Sequence, residues 1–212
     1  MIHVKNKDLV VPGMLLAEGD YINEDGTHKE HGRIYASVVG VAYLNHRKVR
    51  VVALKGKYVP KQGDSVIGII TGERFNGWKV DINSPYEADL NQRDIQTGRY
   101  DSLNVGDLVY ARIVKVTEIF ETSLYAKRPY GKLDKGILIE IQSARVPRLI
   151  GRKGSMIKMI NEKTRSVITV GQNGFVWIRG GNEELAAQAC QMVDREAHIP
   201  GLTDRVSEFL SR

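Results

Sequence analysis

Two glycines three residues apart bracket two cations in the last third of the chain, in the segment Gly151-Arg152-Lys153-Gly154. An apolar pair, Leu149-Ile150, precedes this segment, and an amphipathic run follows it. Glycine has no Cβ, so another backbone can approach it closely. The two cations supply positive charge, and a helix that begins after the loop would point unpaired N–H groups outward. These are the parts needed to hold a sugar-phosphate backbone against a helix terminus, so the segment predicts a phosphate-binding loop.

The segments on either side of this loop predict the elements that position it. Residues 136–142 alternate isoleucine onto one face, as a strand does, and Ser143 can cap a short helix that ends at Ile150. After the loop, the pattern predicts a helix from Ser155 to Arg165. The buried side of that helix is expected to carry Met156, Ile157 and Ile160.

Two β-rich runs and one more helix follow. Ser166 to Val170 and Phe175 to Ile178 predict two strands joined by a turn at Asn173-Gly174. Asn182 is placed to open the last helix, because two glutamates in the first turn favour a helix N-terminus there. The order β-α-GXXG-α-β-β-α resembles a type I KH domain from about Lys135 to Ile199, which implies that the loop grips an RNA backbone.

The charge around the loop agrees with a nucleic-acid partner. Between residues 145 and 165 the only acidic residue is Glu162. The basic residues of this stretch are Arg145, Arg148, Arg152, Lys153, Lys158, Lys163 and Arg165. A charge run is by itself most often a solvated surface, but here it flanks a loop that suits phosphate. We therefore predict RNA contacts at Arg148, Gly151, Arg152, Lys153 and Gly154.

The middle third predicts a small closed barrel of five short strands. Two of the strand candidates open with Gly-Asp, at Gly63-Asp64 and Gly106-Asp107, and the third candidate spans Tyr86 to Leu90 before a loop rich in Asn, Gln and Arg. The segment from about Gly63 to Arg128 resembles the S1 variety of OB-fold. An OB-type barrel binds single-stranded RNA through a basic groove with aromatic platforms.

The barrel's candidates for RNA contact are its cations and aromatics on strands and loops. They are Arg74, Phe75, Trp78, Lys79, Tyr86, Arg93, Arg112 and Lys115. Trp78 and Tyr86 sit at alternating positions, so a filling role inside the barrel is the plainer interpretation for these two.

The first sixty residues predict a small β-rich domain without a binding motif. A strand at Leu9 to Gly13 ends in a turn, and Ile34 to Leu44 with Lys48 to Leu54 predicts a hairpin across Asn45-His46-Arg47. A domain of this kind is often a docking piece. The chain is thus expected to be mixed and multidomain: a β-rich N-terminal domain (1–60), an S1-type OB-fold β-barrel (61–130) and an α+β type I KH domain (131–212).

Whole-chain composition bounds the function classes. The 212 residues allow more than one domain, and a net charge of +6 suits a polyanionic partner. Cys190 is the only cysteine, so no internal disulfide can form, which is typical of a reducing compartment. No run approaches the ~20 apolar residues of a membrane span, and the N-terminus lacks a signal-peptide pattern. We expect a cytoplasmic protein without membrane contact.

The three parts in this order resemble the S1–KH cap subunit of the archaeal RNA exosome. The match is carried by Val10 to Gly13, Tyr58 to Gly68 and Leu149 to Gly154. The resemblance implies that three copies sit on a hexameric ring of phosphorolytic RNase subunits. It also implies that the cap recruits single-stranded RNA and feeds 3′ ends to the ring, without catalysis of its own.

A search for catalytic chemistry agrees with a non-enzyme that needs no cofactor. His28 and His31 lie three apart in a polar stretch, a pair that is more often solvated loop than metal site, and Cys190 has no CxxC partner. No phosphate-binding loop of the G-x-x-x-x-G-K-[ST] type and no G-x-S-x-G elbow is present.

Two other protein classes carry the same modules. Bacterial polynucleotide phosphorylase has KH before S1 and two large catalytic domains ahead of them, for which this chain has no room. A NusA-like transcription factor has S1 before KH but a second KH unit, and it stays open as the alternative, an RNA-binding factor without an RNase ring.

Overall fold

The structure, a computed structural model, describes residues 1–53, 56–95, 103–197, 199 and 201–211. Its contacts divide the chain into two compact units, Met1–Gly56 and Lys57–Arg212. The first unit holds two small sheets, and the second holds a closed barrel followed by a domain of helices and strands. This confirms the predicted mixed multidomain class.

The first unit is built from short strands. They are β1 (Leu9–Val10), β2 (Leu15–Glu18), β3 (Ile22–Asn23), β4 (Thr27–Glu30), β5 (Arg33–Ala36), β6 (Gly40–Asn45) and β7 (Lys48–Ala53). One sheet has the order β1-β6-β7-β3 and the other β2-β5-β4. Their inner faces share one core, which includes Val10, Leu16, Ile34, Val49 and Val51.

The predicted hairpin of this unit is right at its turn and wrong in its first arm. Strands β6 and β7 pair up to Asn45 opposite Lys48, as expected. The arm predicted from Ile34 to Leu44 is two strands in two different sheets, β5 and β6. The chain changes sheet before Gly40, where a Cβ would lie 2.3 Å from the carbonyl oxygen of Val52, so only glycine lets the new strand approach β7. Leu54, predicted to end the second arm, lies outside the described residues.

The barrel begins the second unit. Its strands are β8 (Ser65–Arg74), β9 (Gly77–Asp81), β10 (Ala88–Ile95), β11 (Leu108–Val116), β12 (Thr122–Ala126) and β13 (Gly131–Leu133). The order is β12-β10-β9-β8-β11-β13, and β12 also pairs with β11, which closes the first five strands into a barrel. Alternate residues such as Val66, Ile70, Val80, Ile82 and Ile113 are fully or almost fully buried inside it.

The predicted third strand of the barrel is displaced. It begins at Ala88 rather than Tyr86, and it runs on to Ile95 through residues predicted as a polar loop. Alternation explains the difference, because Ala88, Leu90 and Ile95 are buried while polar side chains occupy positions between them. The rest of that predicted loop, from residue 96, lies outside the described residues.

The last part of the chain has the predicted order of elements. They are β14 (Ile137–Glu140), α1 (Val146–Ile150), α2 (Ser155–Thr164), β15 (Val167–Val170), β16 (Phe175–Arg179), α3 (Glu183–Glu196) and α4 (Leu202–Phe209). The sheet order is β14-β16-β15. The helices cover this sheet through a core that includes Leu149, Met156, Ile160, Ile178 and Val193.

For these helices one capping prediction is confirmed, one is wrong, and one helix was not predicted. Asn182 caps α3 as expected, since its Oδ1 accepts a hydrogen bond from the backbone N–H of Leu185 at 3.0 Å. Ser143 does not cap α1. A 3₁₀ turn of residues 143–145 comes first, and Pro147 in the first helical turn has no N–H that needs a partner. Helix α4 was not predicted, and it packs on the domain through buried Leu202 and Val206.

Candidate RNA-binding surface

The glycine-flanked loop lies between α1 and α2, and its two glycines have different environments. Gly151 has φ 76°, and a Cβ there would lie 2.8 Å from the backbone nitrogen of Met156. Gly154 has φ 77°, but a Cβ there would meet nothing within 4 Å. Gly151 is therefore required by the packing of the loop on its own helix. Gly154 is favoured only by its left-handed backbone conformation, and it leaves open space at the surface.

Positive charge surrounds that open space. Arg152 and Lys153 are exposed, as is Arg148 one turn earlier, and none of the three has an ion pair with a described residue. Lys153 takes φ 51°, a left-handed conformation in the middle of the loop. Helix α2 starts directly after Gly154 without a side-chain cap, so the N–H groups of its first turn are available to an anion. The loop can hold a phosphate by charge and by backbone donors together.

Two basic residues after the loop, Lys158 and Lys163, have partners within the chain. The Nζ of Lys163 donates to the carbonyl oxygen of Ser207 at 2.8 Å and to the hydroxyl of Ser211 at 2.6 Å. Lys163 thereby holds the C-terminal end of α4, where a cation is favourable. Lys158 lies 3.8 Å from Glu162 along the same helix.

On the barrel, the two predicted cations of the β8–β9 region are paired. Arg74 lies 3.1 Å from Asp89, and Lys79 forms a salt bridge with Glu87. Because each has an acidic partner, neither adds net charge to the barrel surface. Arg112 is exposed on β11 and has no ion pair with a described residue, so it is the better placed of these cations for phosphate.

The two predicted aromatics differ. The indole N–H of Trp78 donates to the carbonyl oxygen of Leu103 at 3.1 Å, and the ring packs against the barrel core. Tyr86 instead lies outside the barrel, with 39% of its surface exposed, and stacks on Phe120 with ring centroids 4.5 Å apart. The filling role therefore fits Trp78 and does not fit Tyr86. Contact of either ring with RNA stays a prediction.

The two Gly-Asp strand openings hold the ends of the barrel together. Asp64 accepts a hydrogen bond from the hydroxyl of Tyr58, and burial together with this carboxylate raises the pKa of the tyrosine. Asp107 accepts bonds from the N–H of Asn104 at 2.8 Å and from Lys132 at 2.9 Å. Although partial burial acts to raise the pKa of Asp107, these two donors outweigh it and the pKa is lowered.

The residue that sequence reasoning missed is Asn173, which was predicted only as part of a turn. Its side chain is fully buried between the barrel and the KH-like domain. Its Nδ2 donates to the carbonyl oxygens of Ile67 at 2.7 Å and Ile82 at 2.9 Å, and its Oδ1 accepts from the N–H of Ile67 at 3.3 Å. The amide thus pairs with the barrel backbone much as a neighbouring strand would. Nothing local in the sequence signals this.

An apolar cluster surrounds that amide and joins the same two domains. Ile67 of the barrel packs with Phe175 and Trp177 of β16, and half-buried side chains from both domains extend the contact. The backbone N–H of Gln172 also donates to the carbonyl oxygen of Ser65 at 2.8 Å. The barrel and the loop-bearing domain therefore present their surfaces in one fixed arrangement.

Two other kinds of site are not seen in the described part of the chain. Among the described residues, no group of three or more His, Cys, Asp or Glu is arranged to hold a metal ion. None of the helices found there is long and apolar enough to cross a membrane.

Comparison with known proteins gives three family matches along the chain. Residues 7–55 match the model of the exosome RNA binding protein RRP4 N-terminal domain, residues 58–134 that of the exosome complex component RRP40 S1 domain, and residues 136–184 that of the KH domain.

Individual relatives agree over the full length. Proteins named exosome complex component Rrp4 match from Methanobrevibacter smithii (47% identical, covering 100% of this chain and 73% of the relative) and from Methanothermus fervidus (43% identical, covering 100% and 99%). A solved structure titled as that of a putative exosome complex RNA-binding protein is 36% identical. It covers 74% of this chain and 96% of its own, with a TM-score of 0.66.

Proposed function

Since this chain belongs to the family of the exosome complex component Rrp4, we propose that it is the RNA-binding cap subunit of an exosome. In this role it recruits single-stranded RNA and feeds 3′ ends to a phosphorolytic RNase ring, for 3′-to-5′ degradation or processing. It performs no catalysis and uses no cofactor. Three copies sit on a hexameric ring in the cytoplasm.

The observation that carries the proposal is the loop of residues 151–154. Its exposed cations Arg152 and Lys153, the open space at Gly154 and the uncapped start of α2 converge on one point of the surface. A phosphate bound there meets positive charge and N–H donors together. Arg148 lies one helical turn away and extends the contact along the strand.

The barrel adds a second contact to the same RNA. Arg112 supplies charge on β11, and exposed Tyr86, stacked on half-buried Phe120, supplies an aromatic surface. Arg74, Trp78 and Lys79 contribute less, because each already has a partner within the protein. Because the junction at Asn173 fixes the barrel against the KH domain, a strand that binds both gains from their high effective concentration.

We assign the roles by domain: docking on the ring to residues 1–60, and RNA contact to the barrel (61–130) and the KH domain (131–212). The N-terminal residues form a compact unit of their own, and they carry many of the exposed large hydrophobic side chains of the described residues, among them Leu9, Val11, Ile22 and Val52. Exposed apolar surface of this kind suits contact with another protein.

The first experiment tests RNA binding by the loop, using Gly154→Asp in the full chain and a labelled single-stranded RNA. The new carboxylate stands where the phosphate approaches, so affinity should fall at least about tenfold, since one lost charge-assisted contact is worth about 1.5–3 kcal/mol. Gly151→Asp is the poorer variant, because its side chain would collide with the start of α2.

The matched control is Gly201→Asp. Gly201 also precedes a helix, has φ 70° and has open space around its Cβ position. The aspartate introduces the same backbone strain at Gly201, away from the loop of residues 151–154. If Gly154→Asp binds RNA as tightly as Gly201→Asp does, the loop is structural and the assignment of RNA contact to it fails.

The second experiment separates binding from docking. A chain that starts at Lys57 keeps Tyr58, which is buried in the barrel core, and should bind RNA like the full chain. It should fail to lower the RNA concentration at which a phosphorolytic ring degrades RNA. Stimulation by the truncated chain contradicts the docking role, and phosphate-dependent cleavage by the isolated full chain contradicts the absence of catalysis.

Recovery of RNA polymerase instead of ring subunits from a native extract supports the NusA-like alternative.

A further inference from the structure

The outer face of the barrel carries two cations that are covered by carboxylates. Arg74, at the end of β8, lies 3.1 Å from Asp89 of β10, and Lys79 of β9 forms a salt bridge with Glu87, which directly precedes β10. The register places Lys79 opposite Asp89, so the four side chains form one group on neighbouring strands. Two positive and two negative charges make this group neutral as a whole.

The loop of residues 151–154 has the opposite arrangement. Its cations Arg152 and Lys153 are exposed and have no ion pair with a described residue. On the barrel itself, exposed Arg112 of β11 has none either. The carboxylates therefore cover some of the cations proposed for RNA contact and leave others uncovered.

The fold of the barrel depends little on these two carboxylates. The side chain of Asp89 is 47% exposed and that of Glu87 is 54% exposed. Ion pairs with this exposure are screened by water and salt, so they stabilise a fold only weakly. Strand β10 is held instead by its buried residues Ala88, Leu90 and Ile95. Both acids can therefore act on a ligand without being needed for folding.

A carboxylate and an RNA phosphate compete for the same cation. Both are anions that accept hydrogen bonds from a guanidinium or an ammonium group. Asp89 and Glu87 belong to the barrel, so they meet Arg74 and Lys79 at a high effective concentration. A phosphate has to displace them, and a displaced carboxylate then repels the strand that it faces.

We infer that Asp89 and Glu87 are built-in competitors of RNA phosphate that limit how tightly the barrel holds a strand. The uncovered cations of the loop then supply most of the affinity that depends on charge, and the strand on the barrel can advance toward the ring. This inference names the regulation of the barrel contact and rests on the proposed function.

The test measures the affinity of the full chain for a labelled single-stranded RNA after Asp89→Asn or Glu87→Gln. Each change keeps the size of the side chain and uncovers one cation. At low salt the affinity should rise about twofold or more in each variant and about fivefold or more in the double variant, because competition from an exposed pair is worth a factor of about 1.5–5. The slope of log affinity against log salt should steepen by about 0.7 for each uncovered cation.

Asp20→Asn is the matched control for net charge. Asp20 lies 3.1 Å from Arg47 at the surface of the first unit, so this variant also uncovers one cation, but outside the barrel. It should bind RNA like wild type. An equal gain in this control would assign the effect to net charge and overturn the inference.

A second control removes the uncovered cation. Adding Arg74→Gln to Asp89→Asn should return the affinity to that of wild type, because the guanidinium that Asp89 had covered is gone. A gain that persists without Arg74 overturns the inference, and so does wild-type affinity in both single carboxylate variants and in the double variant.

The Gly154→Asp chain separates this failure from a failure of the proposed function. If the carboxylate variants bind like wild type while Gly154→Asp binds weakly, the chain is still an RNA-binding subunit and only the competition is refuted. If the wild-type chain binds no single-stranded RNA, the proposed function fails, and the inference fails with it.

Discussion

Replacing Asn173 by alanine should weaken the junction between the barrel and the KH domain and lower the free energy of unfolding. The change removes the three hydrogen bonds of a fully buried amide and leaves the N–H of Ile67 and the carbonyl oxygens of Ile67 and Ile82 without partners. The turn that carries Asn173 should survive, because Gly171 and Gly174 close it through backbone bonds. The variant therefore tests the junction rather than the turn.

The size of the effect follows from those three groups. An unsatisfied buried donor or acceptor costs about 1–3 kcal/mol, and the bond to the N–H of Ile67 is the longest of the three. We expect the free energy of unfolding to fall by about 3–6 kcal/mol, with the lower end reached if water enters the gap. For a urea m-value of about 2 kcal/mol/M, the midpoint should fall by about 1.5–3 M.

Tryptophan fluorescence during urea unfolding measures this directly. Both tryptophans, Trp78 and Trp177, lie in the second unit, and Trp177 belongs to the junction. The matched control is Gln172→Ala, because this neighbour has an exposed side chain and contributes only its backbone N–H to the junction. A loss for Asn173→Ala within about 0.5 kcal/mol of the control would refute the argument, since surface substitutions alone change stability by that much.

Three further predictions concern charge and the single cysteine. Asp107→Asn should destabilise the barrel at neutral pH, because a carboxylate whose pKa is lowered on folding stabilises the fold above its unfolded pKa. This stabilisation is lost as the pH falls below about 4, so the stabilities of the variant and of wild type should then converge. The urea midpoint measured across an acid titration checks this. Burial raises the pKa of Cys190 to about 12, so at pH 8 a thiol reagent should modify it only after unfolding, and rapid labelling of the native chain would contradict its burial. Arg152→Ala with Lys153→Ala should reduce the slope of log affinity against log salt by about 1.4, and a salt titration that gives parallel lines would remove both residues from the phosphate contact.

Local patterns predicted what depends on neighbours in sequence. The helix after the loop, the strand predicted within residues 136–142 and the cap at Asn182 all follow from residues a few positions apart. Helix α4 is the exception, since its short apolar pattern at Leu202 and Val206 has meaning only against the helices it packs on.

Long-range partners were not predictable from the same patterns. The bonds of Asn173 reach residues 91 and 106 positions away, and an Asn-Gly pair already has a local explanation as a turn. Arg74 was predicted as a candidate for RNA contact, and its pairing with Asp89 was not foreseen because it depends on how the strands meet in space. Such contacts are set by tertiary structure, and RNA contact at Arg74 and Lys79 stays a prediction.

The two glycines of the loop are under different constraints, so they should vary differently among related sequences. Gly151 is demanded by the backbone of Met156 whether or not any ligand exists, so its retention in a relative says nothing about RNA. Gly154 faces empty space, and selection for folding alone should tolerate Asn or Asp there, residues that accept its left-handed conformation. Substitution of Gly154 with Gly151 unchanged would therefore mark the lineages in which this loop no longer contacts a nucleic acid.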